Sequence, residues 1–132
     1  MSHMMVDPKR PVLIAKALTH YRKRLTSISK DEDIESITSD FTKSVLYERI
    51  SLVDNILNDL DTQDYNKIQN RRDIYYGIIC RALNCYVVDL ENFVRQVNSK
   101  LGIGAPSLDE IPIEIEKIRE IIPIFCSSSQ NH

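Results

Sequence analysis

From Tyr65 to Leu101 the chain has no proline, and this run limits the available folds more than any other feature. As one α-helix it would extend on the order of 50 Å at about 1.5 Å per residue. Its single interior glycine, Gly77, costs about 1 kcal/mol against alanine and does not stop a helix. With successive residues about 100° apart, Ile68, Tyr75, Ile79, Leu83, Tyr86, Leu90, Phe93 and Val97 fall on one line, with Arg72 on the same side. Ile74, Ile78, Cys85 and Val88 form a second apolar strip well off the first, and Gly77, Arg81 and Asn84 remain as a thin polar seam. One neighbouring helix cannot cover both strips. The long helix is therefore expected at the centre of a bundle or against another subunit.

The rest of the chain reads as shorter helices. Ile14, Leu18, Tyr21, Leu25 and Ile28 alternate spacings of four and three, the stripe of an amphipathic helix over residues 10–28. The acidic stretch SKDEDIESITSD is a connection dense in capping residues, ending in a cap at Thr38 or Ser39. A second helix then runs to about Leu60, with Leu46, Ile50, Val53, Leu57 and Leu60 as its stripe, widened by Phe41, Val45, Leu52 and Ile56. GIGAP ends the long helix through its glycines. Ser107 with Glu110 forms a capping-box pattern for a short final helix with Ile111, Ile115, Ile118 and Ile122 inward. Pro112 suits that helix's first turn and Pro123 is expected to end it. The reading is an all-α fold: a single domain over residues 5–125, a bundle of about four helices with one long central helix, then a disordered tail at 126–132. MSHM at the start reads as an expression scar, with Met5 as the native start.

A chain of 132 residues can bury a core without disulfide or metal staples, and three glycines leave little room for the turns of an all-β fold. The three cysteines form no metal knuckle, and reduced thiols in a cytoplasmic protein are expected. Residues 74–90 are too short, and carry Arg81, Asn84 and Asp89, so no membrane span is expected. The net charge of −2 conceals segregation, since residues 1–30 hold seven Lys/Arg and one acid whereas residues 31–64 hold ten acids and two Lys/Arg. Ion pairing between neighbouring helices explains this more simply than a nucleic-acid footprint.

Reaction chemistry finds little support. Cys80 and Cys85 point about 140° apart on a helix, so they cannot share an ion or a disulfide. A cysteine nucleophile would need His20 to arrive from the first helix as its base, and the thiols are read instead as packing. There is no glycine-rich phosphate loop, GxSxG, HExxH or CxxC. No catalytic residue, cofactor, metal or small-molecule substrate is expected. Protein-interface candidates are Arg72, Ile74, Ile78, Arg81, Cys85 and Val88, where Arg72 on an apolar line must either reach solvent or meet a carboxylate. A weaker reading assigns Lys9, Arg10, Lys16, Arg22, Lys23 and Arg24 to a nucleic-acid backbone.

The order of elements carries a resemblance. A variable first helix, an acidic link into DFTKSVLYERISLVDNILNDL, an NRR turn within QNRRDIYYGIICRAL opening a long helix, and a proline-containing loop before IPIEIEKIREI resemble the helical A domain of GINS subunits, of the archaeal type in which that domain comes first. The likeness covers about residues 20–122. It implies a non-enzymatic scaffold joining the replicative helicase to a RecJ-like partner through long interface helices. Such proteins usually add a small β domain, for which nothing after Phe125 supplies strands. Two further readings stand beside it: a small helical accessory subunit of an archaeal primase, and a nucleic-acid-binding module using the basic first helix.

Overall fold

The structure, a computed structural model, describes residues 10–30, 40–101 and 110–130. These form five helices: α1 (Arg10–Lys30), α2 (Asp40–Asp61), α3 (Tyr65–Asn70), α4 (Arg72–Leu101) and α5 (Glu110–Gln130). Among the described residues there is no strand, and the all-α expectation holds. MSHM, Lys9, the cap at Thr38 or Ser39, GIGAP and Ser107 lie outside the described residues.

Packing orders the long helices as α2, α1, α4, α5, with α1 and α4 inside. The core is drawn from all of them: Ile14 and Leu18 of α1, Val53 and Ile56 of α2, Tyr75, Ile79 and Leu83 of α4, Ile118 and Phe125 of α5. All of these but Phe125 are stripe positions read from the sequence, because a three-four spacing puts its residues on one helix face. Cross-links fix the directions. Glu91 meets Arg119 and Cys80 meets Cys126, so α5 runs antiparallel to α4. His20 meets Asp89 and Arg24 meets Cys85, so α1 does too.

The proline-free run is two helices. α3 opens on Asp64, whose side chain accepts the Lys67 N–H at 3.2 Å, and closes at Arg71, which leaves the helical region at φ −110° and ψ 25°. The Arg71 carbonyl then accepts from the N–H groups of Ile74 and Tyr75, starting α4. Two contacts hold the corner. The Arg71 guanidinium lies 5.1 Å from the centre of the Tyr75 ring, and the Tyr76 hydroxyl donates to Gln69 Oε1 at 3.0 Å. Helical periodicity carries no mark of such a corner.

The final helix also departs from expectation. It continues through Pro123, which lacks an N–H to give the preceding turn. Tertiary anchors on both sides offset that lost bond. Ile118 and Ile121 are buried before the proline, Phe125 is buried after it against the Tyr76 ring, and Cys126 is tied to Cys80. Cys126 therefore belongs to the fold and not to a tail.

Along α4 the apolar line is covered through Leu83, half-covered at Tyr86 and Leu90, and fails at Phe93, which is 48% exposed. In antiparallel register, Phe93 stands near Ile14 and Ile115, the first buried residues of α1 and α5. From Phe93 to Lys100 no residue of α4 is fully buried.

Candidate functional site

The six interface candidates do not share one environment. Ile78 is buried, Cys85 half-buried, and Arg72 and Arg81 exposed, while Ile74 and Val88 are 43% and 53% exposed. Of the two settings expected for the second strip, cover by the bundle is met at Ile78 and not at Ile74 or Val88. The reason lies in the layer order: α1 and α5 cover two sides of α4, and α2, which could cover a third, packs on α1 and diverges from α4. Arg72 resolves its position by reaching solvent rather than by meeting an α2 carboxylate.

Between α2 and α4 this divergence leaves an open groove. Its apolar wall is Val45 and Leu52 on one side and Ile74 and Ile78 on the other, and Glu48, Arg49 and Arg81 form its rim. Gly77 also lines it, at a position where an added Cβ would meet nothing within 4 Å. Val45 is 38% exposed, so the α2 side of the groove is open to solvent as well. Sequence reading found the α4 half from its second strip. It missed the α2 half because Val45 and Leu52 read as a widened core stripe.

The basic residues of α1 are largely engaged within the chain. Lys16 Nζ lies 3.1 Å from Glu114, Arg22 Nε lies 2.6 Å from Asp54, and Arg24 Nη1 lies 3.0 Å from Asp89. Its hydrogen bond and proximity to Glu114 hold the Lys16 ammonium above its ordinary pKa, and the Asp54 contact does the same for Arg22. Lys23 is exposed, Arg10 is half-buried, and Lys9 lies outside the described residues. Ion pairs with Asp54, Asp89 and Glu114 thus dock α1 onto α2, α4 and α5, and of these three acids only Asp54 comes from the acidic block at residues 31–64.

A polar cluster between α1 and α4 was not assembled from sequence. His20 and Arg24 are four apart on α1, and Cys85 and Asp89 are four apart on α4, so each pair occupies one helix face. Antiparallel packing brings the pairs together. His20 Nε2 is 2.5 Å from Asp89 Oδ2, Arg24 Nη1 is 2.7 Å from Cys85 Sγ, and Cys85 Sγ is 3.9 Å from Asp89 Oδ2. The contact with Cys85, and then the charge of Asp89, keep the Arg24 guanidinium above its ordinary pKa. The His20 ring lies 5.2 Å from the Tyr86 ring, whose hydroxyl is pushed up by burial. His20 does arrive beside Cys85. Yet its Nε2 faces the carboxylate, and the thiol faces a guanidinium, which is not the base-to-nucleophile order of a hydrolytic triad.

The thiols are also not equivalent. Cys80 and Cys126 form a disulfide with Cα atoms 5.1 Å apart, and Cys85 is free. Reading all three as packing thiols is corrected for two of them, and with it the reason for a reducing compartment. No described helix is long and apolar enough to cross a membrane. Compared with protein-family models, curated proteins and solved structures, the chain matches none.

Proposed function

We propose that the protein is a non-enzymatic interaction subunit whose α2/α4 groove receives one amphipathic helix from a partner subunit. The observation that carries this reading is the apolar wall that Val45, Leu52, Ile74 and Ile78 give the groove, with Ile74 and Val45 open to solvent. Helix-in-groove recognition uses a few apolar anchors at helical spacing. Arg49 and Arg81 on the rim call for acidic residues flanking those anchors, with Glu48 meeting a base. Support for a DNA-replication assembly, archaeal and cytoplasmic, comes from the GINS resemblance over residues 20–122. The engagement of Lys16, Arg22 and Arg24 in ion pairs favours a protein partner over direct DNA contact, and the same pairs weigh against the primase-subunit reading.

The test uses the full chain and the Ile74→Glu and Val45→Glu variants. Both positions are substantially exposed, so folding stability should change by less than about 1 kcal/mol while partner association is lost. The partner's contact must map to the groove by protection of α2 and α4. Light scattering on the isolated chain should give a monomer. A dimer abolished by Ile74→Glu would put a second copy in place of the partner, and association indifferent to both charges would remove the groove from the reading.

A further inference from the structure

The geometry points to a zinc site between α1 and α4, with His20, Cys85 and Asp89 as its protein ligands. It is independent of the α2/α4 groove. One ligand atom from each residue lies within 4.8 Å of the others. A tetrahedral Zn2+ with bonds of about 2.0–2.3 Å spaces its ligand atoms by about 3.3–3.6 Å. Cys85 Sγ and Asp89 Oδ2, at 3.9 Å, already stand near that spacing. His20 Nε2 and Asp89 Oδ2, at 2.5 Å, would open by about 1 Å to admit the ion. Metal sites in helix bundles are built in this way, from side chains on facing helices.

Charge and chemistry select the ion. A thiolate, an imidazole and a carboxylate together suit Zn2+, whereas Mg2+ and Ca2+ require oxygen ligands. The electron-rich atoms already attract a cation, since Arg24 Nη1 sits 2.7 Å from Cys85 Sγ and 3.0 Å from Asp89 Oδ2. The Arg24 side chain is 50% exposed, so it can leave for solvent when an ion of higher charge takes its place. On binding, the Cys85 S–H bond breaks and its proton passes to solvent, the proton that His20 Nε2 shares with Asp89 leaves that nitrogen for solvent while Nδ1 carries the ring's remaining proton, and the freed sulfur and nitrogen lone pairs bind the metal with no change of oxidation state. Three protein ligands leave a fourth position for water. The ion would fasten α1 to α4 at the level where the hydrophobic core is thinning toward Phe93.

The experiment titrates the oxidised full-length protein, in which Cys85 is the one free thiol, with Co2+ as the spectroscopic substitute and then with Zn2+ in competition. The expected result is one equivalent bound, with visible bands of tetrahedral cobalt and a near-ultraviolet thiolate-to-cobalt charge-transfer band. Cys85→Ser should abolish that band. Losing a ligand outright should weaken binding by at least the roughly 10- to 100-fold that follows loss of an outer-shell partner. His20→Ala and Asp89→Asn should each weaken binding likewise, with far-ultraviolet circular dichroism confirming that the variants fold. Arg24→Ala should tighten it, because no guanidinium need then be displaced. Absence of the charge-transfer band in the parent protein, its survival in Cys85→Ser, or an Arg24→Ala variant that binds no more tightly would each overturn the site.

Discussion

Replacing Cys80 and Cys126 together by serine tests how far the bundle depends on the covalent tie between α4 and α5. The bond closes a loop of 46 residues in sequence separation. In the chain-entropy treatment, removing such a closure returns about 13–14 cal/mol/K to the unfolded chain, or about 4 kcal/mol at 25 °C. That figure is an upper bound, because unfolded chains keep some compactness of their own. A loss of about 2–4 kcal/mol is expected, which at roughly 3–5 °C per kcal/mol for a chain of this size lowers Tm by roughly 6–20 °C. Urea unfolding followed by far-ultraviolet circular dichroism gives the free energy directly. The slope m should rise in the serine variant, since an unbridged denatured state exposes more surface. Helix content before the transition should be preserved, because Ile118, Ile121 and Phe125 still seat α5 on α4. A loss under about 1 kcal/mol with unchanged m would refute the reasoning. So would three titratable thiols in protein purified without reductant.

Further tests probe individual side chains. Phe125 is fully buried beyond Pro123, so Phe125→Ala should cost about 3–5 kcal/mol in chemical denaturation, where a helix that ended at Pro123 would leave the position nearly neutral. The Tyr75 hydroxyl is buried with no hydrogen-bond partner among the described residues; Tyr75→Phe should therefore be neutral or stabilising by up to about 1 kcal/mol, and a clear loss of stability would show that the hydroxyl has a partner after all. Gly77→Ala removes a flexible residue from a helix interior where the new Cβ meets nothing within 4 Å, and a gain of about 0.5–1 kcal/mol is expected by thermal melt. Burial raises the pKa of Tyr76 above 10.0. Its neutral form is favoured in the folded state, so this contribution is intact below about pH 10 and is lost as pH rises through the folded value; Tyr76→Phe should flatten the decline in Tm seen in alkaline buffer.

The amphipathic stripes made much of this protein legible from sequence. Ile14, Leu18, Val53, Ile56, Ile79, Leu83 and Ile118 were all assigned inward from their spacing and are all buried, because a helix converts three-four spacing into one face without reference to anything distant. The second strip on α4 was legible in the same way. How much of it would be covered was not, since Ile78 and Ile74 have the same sequence credentials and differ only in where α2 runs.

Tertiary structure alone decided the passage of α5 through Pro123, the Cys80–Cys126 bond and the meeting of His20 and Arg24 with Cys85 and Asp89. Each depends on the relative register of helices tens of residues apart in the chain. Periodicity fixes which direction a side chain faces about its own helix axis, but not how far a neighbour has slid along that axis or how widely it splays. Those two quantities follow from the packing of the entire bundle, and they determine which buried or charged groups become partners.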